Sequence, residues 1–307
     1  MRTMKLGNSQ LDVPVVAVGC MRIDALDMSG AERFVHAALE QGANFFDHAD
    51  IYGKGQCEEI FADAVHMSSS VREGLILQSK CGIRPGTFDF SKEHILASVN
   101  GILGRLKTDY IDILLLHRPD ALVEPDEVAR AFDELEAAGK VRAFGVSNQT
   151  PRQIDLLKTS VKQPIVANQL QLSVTHAPIV AQGVATNMHG LDQSATLDGG
   201  GILDYCRINH ITVQAWSPFQ AGFFTGVFLD NPEYAELNAV IDRLAAQYDV
   251  PSIAIATAWI TRHPAQMQVV LGTTTPQRVT DAALGSDIPL TRPEWYEIFR
   301  AAGYQVP

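Results

Sequence analysis

Short, continuously apolar runs alternate with stretches of helical periodicity along nearly the whole chain. The runs are VVAVGC (15–20), NFFDHA (44–49), LILQSK (75–80), YIDILLLH (110–117), AFGVSN (143–148), IVANQLQL (165–172), ITVQAWS (211–217) and QVVLGT (268–273). A strand with one wet face alternates apolar and polar residues, whereas a parallel strand covered on both faces is apolar throughout. Most of these runs are of the second kind.

The intervening stretches carry helix signals. Ser29-x-x-Glu32 reads as a capping box opening AERFVHAALEQG, which stops at Gly42. Ser91 precedes Ile95, Leu96, Val99, Ile102, Leu103 and Leu106, which share one helical face. Pro125 begins a helix ending at Gly139, Thr150-Pro151-x-Gln153 opens another, and Thr291-x-x-Glu294 opens the last. Eight strand–helix units in 307 residues predict an α/β protein: a (β/α)8 TIM barrel with extended βα loops at its C-terminal mouth and a C-terminal helix. A doubly wound sheet would follow its first strand with a G-x-G-x-x-G turn, but the chain reads GCMRID there. No linker or short-period repeat divides the chain, so residues 1–307 are read as one domain. The longest irregular stretch, 174–200, is predicted to be a βα loop at the mouth. Its GGG at 199–201 reads as a flexible start to the next helix, since no Lys-Ser/Thr follows it as in a phosphate loop.

Composition narrows the function classes. Hydrophobic residues make up 46% and charged residues 19%, so a sizeable core can be buried. A net charge of −11 opposes non-specific nucleic-acid binding. Cys20, Cys57, Cys81 and Cys206 are scattered without a C-x-x-C pair, which fits reduced thiols. The first residues lack an apolar signal core, and no run approaches the roughly 18–20 apolar residues of a membrane span. The expectation is a cytoplasmic protein, a monomer or weak homo-oligomer, whose partner is a small molecule rather than a membrane or nucleic acid.

Polar residues recur where the apolar runs end: Asp47 and then Tyr52, Lys80, His117, Ser147 with Asn148, Gln169 within its run, Trp216 with Ser217, and 272–275. In a barrel all of these converge on one mouth. FFDHADIYG (45–53) poses a choice between a metal site on Asp47, His48 and Asp50 and an acid–base pair of Asp47 and Tyr52. Adjacent strand residues point to opposite faces, so Asp47 and His48 would diverge, and no second carboxylate or histidine cluster completes a ligand set. His48 is therefore expected to pack behind the strand, and Asp50 to bond in the turn or lie near a cofactor. The other types suit carbonyl reduction. A lysine beside a tyrosine favours the phenolate and lowers its pKa, an aspartate keeps that lysine charged, and a histidine can orient a carbonyl oxygen.

FDHADIYG, SKCG, LLLHRPD, GKVRAFGVSN, ANQLQLS, AWSPFQAG and GTTTPQR closely resemble the aldo-keto reductases, in order and over nearly the whole chain. The resemblance is nearest to the bacterial oxidoreductases of that family. It implies an NADP(H)-dependent barrel reducing aldehydes or ketones, with a catalytic tetrad of Asp47, Tyr52, Lys80 and His117. It implies that Ser147, Asn148 and Gln169 hold the nicotinamide carboxamide and that Trp216 stacks on the ring. Ser217, Pro218, Phe219, Gln220 and Gly222 would line the pyrophosphate path. Gly272, Thr274, Arg278 and Asp281 would bind the adenosine end, and Gly19, Met21 and Arg22 lie beside the nicotinamide. Pro276 can start a helix whose first turn faces a phosphate, and Arg278 can grip a 2′-phosphate. Many family members carry a lysine where this chain has Gly272, which leaves use of NAD(H) open. Arg118 stands where many eukaryotic members carry a large aromatic; it favours an anionic or polar substrate unless it pairs with Asp120 or another rim acid. Some aldo-keto-like proteins are instead cofactor-sensing regulatory subunits, an alternative to set beside a metal-dependent barrel hydrolase using Asp47, His48 and Asp50.

Overall fold

The computed structural model describes residues 1–185, 201–222 and 225–306. Its strands are β1 (Thr3–Lys5), β2 (Asp12–Pro14), β3 (Val16–Gly19), β4 (Phe45–Asp47), β5 (Ile76–Cys81), β6 (Ile83–Arg84), β7 (Thr87–Phe88), β8 (Ile111–Leu116), β9 (Val141–Ser147), β10 (Ile165–Gln171), β11 (Thr212–Trp216) and β12 (Gln268–Leu271). The eight apolar runs become β3, β4, β5, β8, β9, β10, β11 and β12. These close in that order into a parallel barrel, with β12 pairing back onto β3. Two short antiparallel hairpins, β1–β2 and β6–β7, lie outside it.

The helices are α1 (Met28–Glu40), α2 (Gln56–Ala64), α3 (Ser69–Glu73), α4 (Lys92–Leu106), α5 (Pro125–Ala137), α6 (Pro151–Leu157), α7 (Pro178–Ala185), α8 (Ile202–Ile208), α9 (Ala235–Tyr248), α10 (Ser252–Thr261), α11 (Pro276–Leu284) and α12 (Arg292–Ala301). Among them no helix is long and apolar enough to cross a membrane. Most start signals act as read. Ser91 Oγ accepts from His94 N, and both capping boxes, Thr150 with Gln153 and Thr291 with Glu294, are closed in both directions. Two expectations are corrected. The cap of α1 is Asp27, whose carboxylate accepts from Gly30 N, while Ser29 lies inside the first turn and takes a bond from Arg33. An aspartate two residues upstream supplies a charged acceptor at the helix N-terminus, which outcompetes the serine. The stretch 174–200 is not irregular throughout, because it contains α7; residues 186–200 lie outside the described residues. Gly201, at φ +80°, does begin α8.

Two apolar layers set the frame. The larger lies between the strands and the helices, with Phe34, Phe61, Phe132, Phe144 and Trp259 fully buried. The smaller fills the barrel's lower interior with Ala17, Phe45, Ile113, Leu115 and Ala167, and Leu6 and Val13 of the N-terminal hairpin join it. The hairpin is tied to the strand ends there, since Gly7 N donates to Thr212 Oγ1 at 2.8 Å and Pro14 O accepts from Gln268 Nε2 at 2.7 Å. It thus closes the floor and leaves the opposite, C-terminal mouth open. Gly145 is required in the wall, because a Cβ there would come within 2.6 Å of Leu115 Cδ2 and 2.8 Å of Ala167 O. Truncating the floor plug by Leu6→Ala should cost about 2–5 kcal/mol of unfolding free energy; a shift of the urea midpoint without a change in slope checks it.

Candidate active site

Parity along the strands sorts the residues. Strand residues two apart share a face, so Asp47 points into the barrel with Phe45, while His48 lies behind the strand with its ring edge-on to Phe61 at 4.6 Å. Asp47 therefore faces Lys80 of β5. The Lys80 ammonium is fully buried and spends its three donors on Asp47 Oδ2 (2.8 Å), His48 O (2.7 Å) and Tyr52 Oη (3.1 Å). Burial alone would push its pKa down, but the Asp47 and Tyr52 oxygens outweigh that and raise it, so it stays charged.

Tyr52 reaches this pair through a tight turn. Its N–H bonds Ala49 O, and Gly53, Lys54 and Gly55 all follow with positive φ before α2 begins. Gly53 also has no room for a side chain, since a Cβ would sit 2.9 Å from Asp24 Oδ2 and 3.0 Å from Cys57 Sγ. Sequence reasoning expects Lys80 to lower the phenol's pKa. The structure reverses the net direction: burial raises it, Asp47 adds to that, and Lys80 only opposes them. Tyr52 is accordingly a protonated phenol whose oxygen already accepts from Lys80, which leaves its own O–H to donate elsewhere. His117 follows β8, with its ring edge-on to Tyr52 at 5.9 Å. Burial, reinforced by the Lys80 and Arg118 cations, holds its imidazole well below the ordinary pKa, so it is neutral.

A buried amide network lies beneath this cluster, and of its members only Gln169 was expected at the site. Asp47 Oδ1 accepts from Gln78 Nε2 (2.6 Å) and Gln169 Nε2 (3.1 Å). Gln78 and Gln214 bond each other in both directions at 3.0 Å, and Gln214 also donates to Gln268 (2.8 Å), which is anchored on Pro14 O. The detectable signal is a glutamine at the inward parity of an otherwise apolar strand, as in LILQSK, ITVQAWS and QVVL.

The remaining predicted residues line the same rim. Ser147 Oγ donates to Gln169 O (3.0 Å), Asn148 Nδ2 donates to Ser147 Oγ (2.7 Å), and Trp216 Nε1 donates to Asn148 Oδ1 (3.3 Å). Asn148 and Ser217 both hold left-handed backbones, at φ +56° and +53°. Such strain in non-glycine residues tends to collect at functional sites. Pro218 is buried; Phe219, Gln220 and Gly222 are partly exposed, and Gln220 Oε1 is enclosed without a partner among the described residues. Beyond β12, Gly272 is exposed and a Cβ there would meet nothing within 4 Å. Thr274 is half-buried, and Arg278 is exposed in the first turn of α11, whose cap position makes no side-chain bond. Asp281 accepts instead from Gln277 one turn earlier (2.8 Å). Gly19 and Met21 are half-buried, and Arg22 reaches across to Gly272 O (3.4 Å). A Cβ on Gly19 would lie 2.5 Å from Leu271 O. The predicted residues thus lie at the C-terminal ends of the barrel strands or on the loops following them, except Arg278 and Asp281, which lie on α11.

Among the described residues no group of three or more His, Cys, Asp or Glu side chains is placed to hold a metal ion. Arg118 does not pair with Asp120, whose carboxylate accepts from Phe90 N (2.9 Å) and Leu122 N (2.8 Å).

The model of the Aldo/keto reductase family matches residues 15–302. The chain belongs to this family. An uncharacterized oxidoreductase, YcsN, of Bacillus subtilis is 34% identical over 94% of both chains. A 6-dehydroglucose reductase of Agrobacterium fabrum is 32% identical over 96% of both. A Bombyx mori aldo-keto reductase solved in complex with NADP superposes with a TM-score of 0.75 at 20% identity, covering 98% of this chain and 92% of that one, which supports the fold.

Asp50 lies outside the acid–base cluster. Its Oδ1 is buried with no hydrogen-bond partner among the described residues, and burial together with the nearby Glu58 carboxylate pushes its pKa up to about 6 against the opposing bonds from Ser98 and from Ile51 N in the turn. Glu58 is itself fully buried, held by Ser79 and Arg105. The native state therefore binds a proton that the unfolded chain has released, from the ordinary 3.8 up to about 6. Stability falls as pH rises through that window and stays lowered above it. Asp50→Asn should be more stable than the parent by about 1–3 kcal/mol at neutral pH, with the gain shrinking toward pH 4, as read from urea unfolding across that range.

Proposed function

We propose that the protein reduces aldehyde or ketone carbonyls with NADPH, using Tyr52 as the proton donor. The observation that carries this reading is the buried Lys80 ammonium, bonded at once to the Tyr52 hydroxyl and the Asp47 carboxylate at the open end of the barrel. A phenol is a weak acid, and burial makes it weaker. It can give up its proton in a transition state only if the phenolate is stabilised where it forms. Lys80 provides that stabilisation without reorganising, because Asp47 and His48 O already hold it in place. His117, neutral and beside the phenol, can donate to the same carbonyl oxygen. Tyr52 then gives its proton to that oxygen as negative charge develops on it, and Lys80 neutralises the phenolate left behind.

The residues present fit a nicotinamide dinucleotide. When bound, NADPH supplies the hydride that adds to the carbonyl carbon. Asn148, Ser147 and Gln169 would take its carboxamide, and Trp216 would take the ring. Ser217, Pro218, Phe219, Gln220 and Gly222 would follow its phosphates, and Gln220 Oε1 is enclosed with no partner among the described residues. Gly272, Thr274, Arg278 and Asp281 would hold the adenosine end, with the guanidinium of Arg278 matching a 2′-phosphate at the uncapped first turn of α11. Gly19, Met21 and Arg22 would border the nicotinamide. We place this activity in the cytoplasm, where the four free cysteines remain reduced.

Tyr52→Phe keeps the ring but removes the proton. It should lower kcat by about 10²–10⁴-fold while leaving NADPH binding within about threefold, measured by steady-state kinetics over an aldehyde and ketone panel and by cofactor fluorescence titration. Near-normal turnover would reject the assignment. The open space at Gly272 makes a second expectation specific. Gly272→Lys should tighten NADPH by roughly fivefold while changing NADH little, since a partly exposed ion pair adds about 1 kcal/mol; the ratio of the two cofactors' KM values reads it.

A further inference from the structure

One charged group at the mouth is left over once the acid–base cluster and the dinucleotide contacts are assigned. Arg118 follows His117 at the end of β8 and is only partly exposed. Its Cζ lies over the ring of Trp216, 5.7 Å from the centroid. Neither an ion pair nor a hydrogen bond of its side chain to a described residue accompanies that contact; Asp120, two residues on, is occupied with backbone N–H groups. The other arginines that are not exposed, and the fully buried lysine, each have a carboxylate. Lys80 is paired with Asp47, Arg72 with Asp112, and Arg105 with Glu58. In a chain with 35 acidic and 24 basic residues, a half-enclosed guanidinium beside no carboxylate is conspicuous.

A guanidinium cannot shed its charge to escape desolvation, so a partly enclosed one without an anion carries an uncompensated cost. That cost is relieved by a ligand that brings the anion. The location says which ligand: Arg118 adjoins His117 on one side and Trp216 on the other, the two residues that border the proposed carbonyl pocket. Trp216 also presents an apolar face beneath the cation, which restricts how the guanidinium can swing toward solvent. Resting on the reductase reading above, we infer that Arg118 is a specificity-determining residue that selects carbonyl substrates carrying a carboxylate. The guanidinium fork would take the carboxylate while the carbonyl oxygen lies against Tyr52 and His117. A site built around an unpaired cation favours the anionic substrate and disfavours its neutral analogue, because the latter buries the charge without compensating it. Such substrates are the aldehyde acids and keto acids that alcohol oxidation or transamination of hydroxy and amino acids produces.

The test compares 4-carboxybenzaldehyde with 4-(hydroxymethyl)benzaldehyde, which share ring and reacting group but differ in charge, with NADPH as the reductant. The parent protein should favour the carboxylate by about 10–100-fold in kcat/KM, mostly through KM. Arg118→Met should bring the ratio of the two aldehydes to about one, and Arg118→Lys should leave an intermediate ratio because it keeps the charge but not the fork. Using the ratio within each variant removes any general damage to folding or to Tyr52 chemistry. A parent ratio near one, a preference for the hydroxymethyl compound, or a ratio unchanged in Arg118→Met would overturn the inference while leaving the reductase reading intact. If the parent reduces neither aldehyde, the reductase reading fails, and the inference is then decided by calorimetric titration with benzoate. Binding that is lost in Arg118→Met supports an anion subsite; no binding, or equal binding by the variant, rejects it.

Discussion

The buried ion pair of Lys80 and Asp47 is the constraint around which the barrel's upper interior is arranged. Taking both charges out of water costs several kcal/mol per ion, and the attraction between them compensates only if every remaining donor and acceptor is satisfied. Here all are. The ammonium has three partners, and the carboxylate has the lysine on one oxygen and two glutamine amides on the other. The requirement propagates downward. Gln78 must itself be held, so Gln214 bonds it, Gln268 bonds Gln214, and the chain of amides ends on the Pro14 carbonyl of the N-terminal hairpin. The hairpin that closes the floor is thereby wired to the candidate active site at the roof.

This gives the barrel interior a graded character. The floor is apolar, the middle is a belt of neutral amides, and only the top is ionic. An amide belt suits that position because its dipoles orient toward the carboxylate without adding net charge, whereas an apolar layer would leave Asp47 Oδ1 bare. The same buried setting explains why Tyr52 stays protonated despite its lysine. Burial acts on the phenolate in every direction, but Lys80 offsets it from one side only. The polar rim then differs from the interior by being incompletely satisfied: Gln220 Oε1 and Arg118 await partners that the described residues do not supply.

Much of this was legible in the residues. The two-sided burial of parallel strands writes itself as eight apolar runs, and each run recurs as a barrel strand because a covered strand tolerates little else. Strand parity separated Asp47 from His48 correctly, and His48 does pack on Phe61. Local helix signals were right where the competing residues were weak, as at Thr150 and Thr291, and wrong at Ser29, where Asp27 offered a charged acceptor two positions earlier. The glutamines at 78, 214 and 268 went unread because a single inward glutamine in a strand has no local consequence. Its meaning lies in the partners across the barrel, between 31 and 136 residues away in the chain for the bonds they make to Asp47 and to one another.

The chain alone determined the architecture and the family, since apolar periodicity, caps and strand-end residue types are properties of neighbours in sequence. It also placed Asp47 and Tyr52 at a spacing that only a turn could use. What tertiary structure decided is every quantity that depends on distance between strands: that Lys80 is fully buried and triply bonded, that the Tyr52 pKa rises rather than falls, and that Arg118 faces Trp216 instead of Asp120. Those outcomes depend on desolvation and on pair distances of a few ångströms, and neither is encoded in the order of residues until the barrel closes and brings them together.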